Sequence, residues 1–193
     1  MMPELILAST SPYRRVLLER LQLPFTAIAP GVTEEPVAGE LPPDRALRLS
    51  LAKAQAVAAR HPQAVVIGSD QVASDGQRVL EKPGDAARCC AQLASLSGSG
   101  ASFHTGCALL GAHGAVRLVH LDTTTVFFRS LGRQEIERYV QREQPFDCAG
   151  GFRAEGLGIA LFESIESVDP TALIGLPLIW LAGALRRAGF VLP

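Results

Sequence analysis

Charge of either sign is in short supply here. Over 193 residues, 18 Lys and Arg face 19 Asp and Glu, for a formal net charge of -1. Non-specific nucleic-acid binding, which draws on a basic face, is disfavoured by that balance. Lysine is scarcer still: Lys53 and Lys82 are the two copies, and the other sixteen basic residues are arginines. Aromatics make up 6% of the chain, with one Trp and two Tyr, and they do not interleave with basic residues as in a single-strand binder. The mean hydropathy of +0.21 is high, yet apolar runs such as 64–68 and 176–182 fall well short of the ~20 residues of a membrane span. The start, MMPELILAST, lacks the basic region of a signal peptide. The four cysteines, Cys89, Cys90, Cys107 and Cys148, form no CxxC pair, and His61, His104, His113 and His120 lack ligand spacing. Neither a disulfide framework nor a zinc site is suggested, and the expectation is a reduced, cytoplasmic protein whose cysteines fill its core. P-loop, GxGxxG and GxSxG motifs are absent as well.

Hydrophobic residues, at 48%, supply ample material for a core. No repeat, low-complexity stretch or linker divides the sequence, so it reads as one domain over 1–193. Glu4–Ala8 is a short apolar strand. Ser11-Pro12, an N-cap followed by Pro, opens a helix running to Gln22. Phe25–Ala29 reads as a strand, Gly31–Pro42 as a loop, and Pro43–Arg60 as the strongest helix, with Leu47, Leu51, Ala54 and Ala58 on one face. Ala64–Ser69 is a buried-strand pattern with Asp70 at its end. Asp75-Gly76 marks a hairpin. A helix over Asp85–Leu96, two strands over Ser102–Leu110 and Ala115–Phe128 about His113-Gly114, and a helix over Leu131–Arg142 follow. A Gly-rich turn over Cys148–Gly158, a strand over Ile159–Phe162 and a helix over Leu176–Ala188 complete the order. Strands alternate with helices early and a hairpin follows, which means α/β with a mixed sheet.

Five groups of residues could carry chemistry. Ser9-Thr10-Ser11-Pro12-Tyr13-Arg14-Arg15 joins a strand end, hydroxyls, a helix start and two arginines, a phosphate-friendly combination. An ordinary N-cap beside a solvated Arg pair accounts for the spacing slightly better. Asp70, after an apolar strand, suits a general base or metal ligand and equally a turn carboxylate. Lys53 and Lys82 sit beside apolar segments; each suits a phosphate, or snorkels at the surface. Glu34, in Val32-Thr33-Glu34-Glu35-Pro36, taken alone reads as a solvated loop acid. Gly150, Gly151 and Gly156 permit close backbone approach beside Arg153 and Glu155, or simply make a turn. At this level the chain is an enzyme-like α/β domain whose reaction is undetermined.

Taken together and in order, LILASTSPYRRVLLERLQLPF, VTEEP, the helix with Lys53-Ala54, VVIGSDQV, EKP, SFHTG and CAGGFRAEGLGIALFESIESVDPTALIGLPL resemble the Maf family of nucleotide pyrophosphatases over almost the whole chain. The resemblance implies hydrolysis of a nucleoside triphosphate between its α and β phosphorus atoms. It implies a divalent cation, Mg or Mn, and commonly a homodimer. The implied fold is a mixed-sheet α/β fold related to the inosine triphosphatases, with helices around an elongated twisted sheet. Matched position by position, Asp70 is the proton acceptor and metal partner, Glu34 a metal ligand, and Ser9, Arg14, Lys53 and Lys82 the phosphate-binding positions. Lys53 and Lys82 are grouped with Asp70 as catalytic, since cations offset charge during phosphoryl transfer. Two departures stand out: Thr33 where the family usually has Asp, and Glu81 where it often has Gly.

Base preference in the family follows three positions, here Tyr13, Gln71 and Glu155. This trio resembles the branch that cleaves 7-methyl-GTP, not the dTTP/UTP branch with Arg, Thr and Gln. N7-methylated guanine is cationic, so an aromatic face at Tyr13 attracts it by ~0.5–2 kcal/mol where an Arg would repel it. Glu155 would accept from guanine N–H groups and offset the charge. The implied task is clearance of modified nucleotides. The alternatives are a dTTP/UTP pyrophosphatase and a non-catalytic nucleotide sensor in septum formation.

Overall fold

In the computed structural model, residues 3–111 and 116–193 are described. The turn at His113-Gly114 lies outside them. Among the described residues, β1 (Leu5–Ala8), β2 (Thr26–Ala27), β3 (Val65–Ser74), β4 (Val79–Leu80), β5 (Gly100–Leu110), β6 (Arg117–Phe128) and β7 (Phe162–Glu166) form one seven-stranded sheet in the order β2-β1-β3-β5-β6-β7, with β4 on β3. Pairing is parallel for β1–β2 and β1–β3 and antiparallel for β3–β4 and β6–β7, so the sheet is mixed as the sequence implied. The chain divides into two compact units, one of residues 1–71, 104–122 and 169–193, the other of residues 72–103 and 123–168.

The first unit is built on β1 (Leu5–Ala8), whose four residues are all buried. It lies between β2 (Thr26–Ala27) and β3 (Val65–Ser74), with Ile6 opposite Thr26 and Leu5 opposite Val65. A strand covered on both faces needs an unbroken apolar run, and LILA supplies one. Side chains alternate between the faces. Leu5, Leu7, Val65 and Ile67 pack with Leu17 and Leu18 of α1 (Pro12–Glu19) and Leu181, Ala184 and Leu185 of α5 (Leu178–Arg187). Ile6, Ala8 and Val66 pack with Ala54 and Val57 of α2 (Pro42–Ala58). Ser11 caps α1, its Oγ accepting from Arg14 N at 3.4 Å. Tandem prolines open α2, with Asp44 in the first turn, where a carboxylate meets the positive end of the dipole.

The second unit holds β4 (Val79–Leu80), α3 (Ala86–Leu96), α4 (Arg133–Glu143) and β7 (Phe162–Glu166), with parts of β3, β5 (Gly100–Leu110) and β6 (Arg117–Phe128). The Asp75-Gly76 hairpin forms: Asp75 Oδ1 accepts from Gln77 N and Arg78 N, and Gly76 adopts φ +90°. Phe152 centres an aromatic core, edge-on to Phe103, Phe128 and Phe162 at centroid distances of 5.2, 5.6 and 4.9 Å.

Three expectations are corrected. β3 does not end at Ser69 but runs on to Ser74, so Asp70 lies inside a strand. Buried polar residues stay in a strand when they find partners, and Ser69 Oγ and Asp70 both do. The strand expected over 159–162 starts at Phe162, because Leu157–Leu161 is a 3-10 turn that closes tightly on Arg153, where Gly158 leaves no room for a Cβ. Cys89 and Cys107 are buried, and burial pushes both thiols up to about 12, but Cys90 and Cys148 are half-buried rather than core. Among the described residues, no helix is long and apolar enough to cross a membrane.

Candidate active site

Close packing of α2 on β3 creates the site. A Cβ at Gly68 would collide with the backbone of Ser50 and with Ala54, so this glycine lets the helix sit directly on the strand. One turn along the same helix face, Lys53 is then delivered to Asp70. Lys53 Nζ lies 2.6 Å from Asp70 Oδ1 and 2.6 Å from Glu34 Oε1. Lys53 and Asp70 are buried, with 5% and 6% exposure, whereas the Glu34 side chain is 54% exposed. Neither a surface lysine nor a turn aspartate describes this pair. Glu34 is no free loop acid either. Arg45 and Arg48 of α2 donate to the carbonyls of Glu34 and Glu35 at 3.1 and 3.2 Å and hold the loop over the lysine. The sequence reading missed these two arginines; their i, i+3 spacing at the start of α2 was the available signal.

Arg14 turns inward from the first turn of α1, and its Nε donates to Gly175 O at 2.9 Å. Burial pulls its guanidinium below the ordinary value, and the charges of Asp70 and Glu34 oppose that shift. Arg15 points out and meets Glu19 at 3.5 Å, so the two arginines are not one solvated pair. Ser9 is buried and its Oγ accepts from Ser11 N at 3.1 Å. Tyr13 is half-buried. Gln71, next to Asp70 on β3, donates from Nε2 to Thr105 Oγ1, Ala172 O and Leu173 O, each at 3.0 Å. Ser9, Tyr13, Arg14, Glu34, Lys53, Asp70 and Gln71 all belong to the first unit. Lys82 and Glu155 belong to the second, and both are exposed there. Arg153 pairs with Asp147 at 3.1 Å and Glu143 at 3.6 Å.

The arrangement offers an anion the Lys53 ammonium and the Arg14 guanidinium. To a cation it offers two carboxylates. Because Glu34 and Asp70 both reach one Nζ, their oxygens already converge on a single positive charge. Such a pair fits a divalent ion that takes one or two carboxylates and completes its shell with phosphates and water. Among the described residues no cluster of three or more His, Cys, Asp or Glu stands ready to hold a metal unaided.

Comparison with known proteins bears on the fold and the family. A solved HAM1 protein from Coxiella burnetii superposes with a TM-score of 0.50 at 16% identity, over 97% of this chain and 100% of that one, which places the fold. A 7-methyl-GTP pyrophosphatase from Xanthomonas oryzae pv. oryzae (strain KACC10331 / KXO85) is 56% identical over the full length of both chains. One from Aromatoleum aromaticum is 51% identical over 98% of each. The family model described as Maf-like protein matches residues 4–188, and the chain belongs to the Maf family.

Proposed function

We propose that this chain is a nucleoside triphosphate pyrophosphatase that converts 7-methyl-GTP and water to 7-methyl-GMP and pyrophosphate. What carries the reading is full-length identity of 51–56% to relatives bearing that name. In the proposed reaction, Asp70 accepts a proton from the water that attacks the α phosphorus. The bond from that phosphorus to the bridging oxygen breaks, and pyrophosphate leaves with the bond electrons. Lys53 and Arg14, both directed into the Asp70 cluster, take phosphate oxygens and offset charge as it shifts to the leaving group. Ser9 and Lys82 assist at phosphate, by family resemblance. Glu34 and Asp70 would hold Mg or Mn, which when bound adds positive charge against the phosphates. Tyr13, Gln71 and Glu155 read the base: an aromatic face and a carboxylate suit a methylated, cationic guanine. The reading extends to a cytoplasmic homodimer that clears methylated nucleotides.

The test is pyrophosphate release with Mg²⁺ from 7-methyl-GTP, GTP, dTTP, UTP and CTP in parallel. The reading expects the highest kcat/KM for 7-methyl-GTP. Preference for dTTP or UTP would overturn the base assignment, and no release from any of them would overturn the activity.

A further inference from the structure

Gln71 and Arg14 share a support that sequence matching does not single out. An amide carries two N–H donors and one carbonyl acceptor. The Gln71 amide nitrogen faces Thr105 Oγ1 and the carbonyls of Ala172 and Leu173, and Thr105 Oγ1 itself donates to Ala172 O at 2.9 Å. Two carbonyls beside that nitrogen fix which way the amide is turned. That leaves Oε1 as the acceptor Gln71 can offer, suited to a base edge rich in N–H donors. Arg14 is tied to the same short segment through Gly175 O, which Ser69 Oγ also approaches at 2.9 Å. Three backbone carbonyls in one short segment, at 172, 173 and 175, thus hold both side chains.

One carboxylate shapes that segment. Asp169 is 2% exposed. Its Oδ1 accepts from Thr171 N at 3.0 Å and Thr171 Oγ1 at 2.6 Å, and its Oδ2 accepts from Ile179 N at 2.6 Å in the first turn of α5. Thr171 Oγ1 also accepts from Leu178 N at 2.9 Å. Asp169 and Thr171 together clamp the turn onto the positive end of a helix, where a carboxylate is favoured. We propose that Asp169 is a positioning residue for nucleotide recognition: through Thr171 it holds the 172–175 backbone that aims Gln71 Oε1 and the Arg14 guanidinium. This rests on the reading of Gln71 and Arg14 as nucleotide-binding residues.

The experiment compares Asp169→Asn, Thr171→Val and Thr171→Ser, each alone and combined with Gln71→Ala, measuring kcat and KM separately on 7-methyl-GTP and UTP. Asn keeps one acceptor but loses the one for Ile179 N; Val loses the hydroxyl at nearly constant volume; Ser restores it. Asp169→Asn and Thr171→Val should raise KM for 7-methyl-GTP about tenfold, with a smaller change in kcat, and narrow its preference over UTP. Thr171→Ser should behave as wild type. With Gln71→Ala present, neither change should narrow the preference further. Unchanged KM and preference, or the same narrowing without Gln71, would overturn the proposal. If Asp169→Asn does not fold, the Thr171→Val and Thr171→Ser pair decides by the same criteria. If wild type cleaves no nucleotide, the activity reading fails separately. Calorimetric titration of the same variants with 7-methyl-GTP then carries the test, and an unchanged Kd overturns the positioning role.

Discussion

Lys53 puts one buried positive charge between two carboxylates of unequal burial, and that asymmetry has measurable consequences. Removing the lysine strands Asp70, whereas removing the Asp70 charge leaves Lys53 paired with the accessible Glu34. Loss of one partner of a buried pair costs about 3–5 kcal/mol. Urea unfolding of Lys53→Met should therefore show a loss of about 3 kcal/mol, and Asp70→Asn a clearly smaller one. Asp122 in the first unit gives a pH test. It is buried, its Oδ1 has no hydrogen-bond partner among the described residues, and His120 Nε2 is 3.9 Å from its other oxygen. Burial, then the charge of Asp169, raise this carboxyl above its ordinary value, with His120 opposing. A native state that holds a proton more firmly than the unfolded chain loses stability as pH rises through the raised value. Asp122→Asn stays neutral throughout. Its stability relative to wild type should grow as pH rises above the ordinary carboxyl range, level off once the raised value is passed, and vanish below the ordinary range. Unfolding midpoints across pH check this. At this scale the sequence was partly legible. The scarcity of lysine drew attention to Lys53, but nothing local shows that its ammonium is buried. The contacts of Asp169 with Thr171 and the first turn of α5 were not read from the sequence, and they gain meaning only once Gln71 is seen to lean on the same turn.

Elements marked by local chemistry were legible. Ser11-Pro12 starts α1, Asp85 caps α3, and Asp75-Gly76 turns β3 into β4, each through bonds made within a few residues. Elements whose limits depend on tertiary partners were not. Ser69 and Asp70 look like the end of a strand until Gly106 O and Lys53 are brought to them. Likewise Leu157–Leu161 is apolar enough for a strand but follows the glycine turn instead. Gly68 shows how an element contact governs the site. Gly68→Ala would push α2 off β3, since the added methyl meets helix backbone and Ala54 rather than a flexible side-chain end. Overpacking of this kind costs about 1–3 kcal/mol. The variant should also lose activity more than tenfold at temperatures where it remains folded, because Lys53 rides on the displaced helix. A variant that is destabilised yet fully active would show that the Lys53–Asp70 contact does not depend on this approach.

For the whole molecule, the mixed α/β fold followed from the order of strands and helices, and family membership from seven segments in register across nearly all of the chain. Lys82 was singled out by the scarcity of lysine and Glu155 by its glycine-rich turn, but their roles came from that register, since both are exposed and have no local signature of nucleotide binding. Base preference is argued from three side chains, so it should yield to one. Tyr13→Arg replaces an aromatic face by a cation, and kcat/KM for 7-methyl-GTP relative to UTP should fall about tenfold or more. An unchanged ratio would remove Tyr13 from the recognition of the base.

The proposed pyrophosphatase reaction turns on Asp70 accepting the proton of the attacking water. Its most direct test is pyrophosphate release from 7-methyl-GTP by wild type and Asp70→Asn, side by side, with nucleotide binding measured on both. Turnover should fall by about 10²-fold or more while 7-methyl-GTP still binds. Turnover by Asp70→Asn within about threefold of wild type would contradict it.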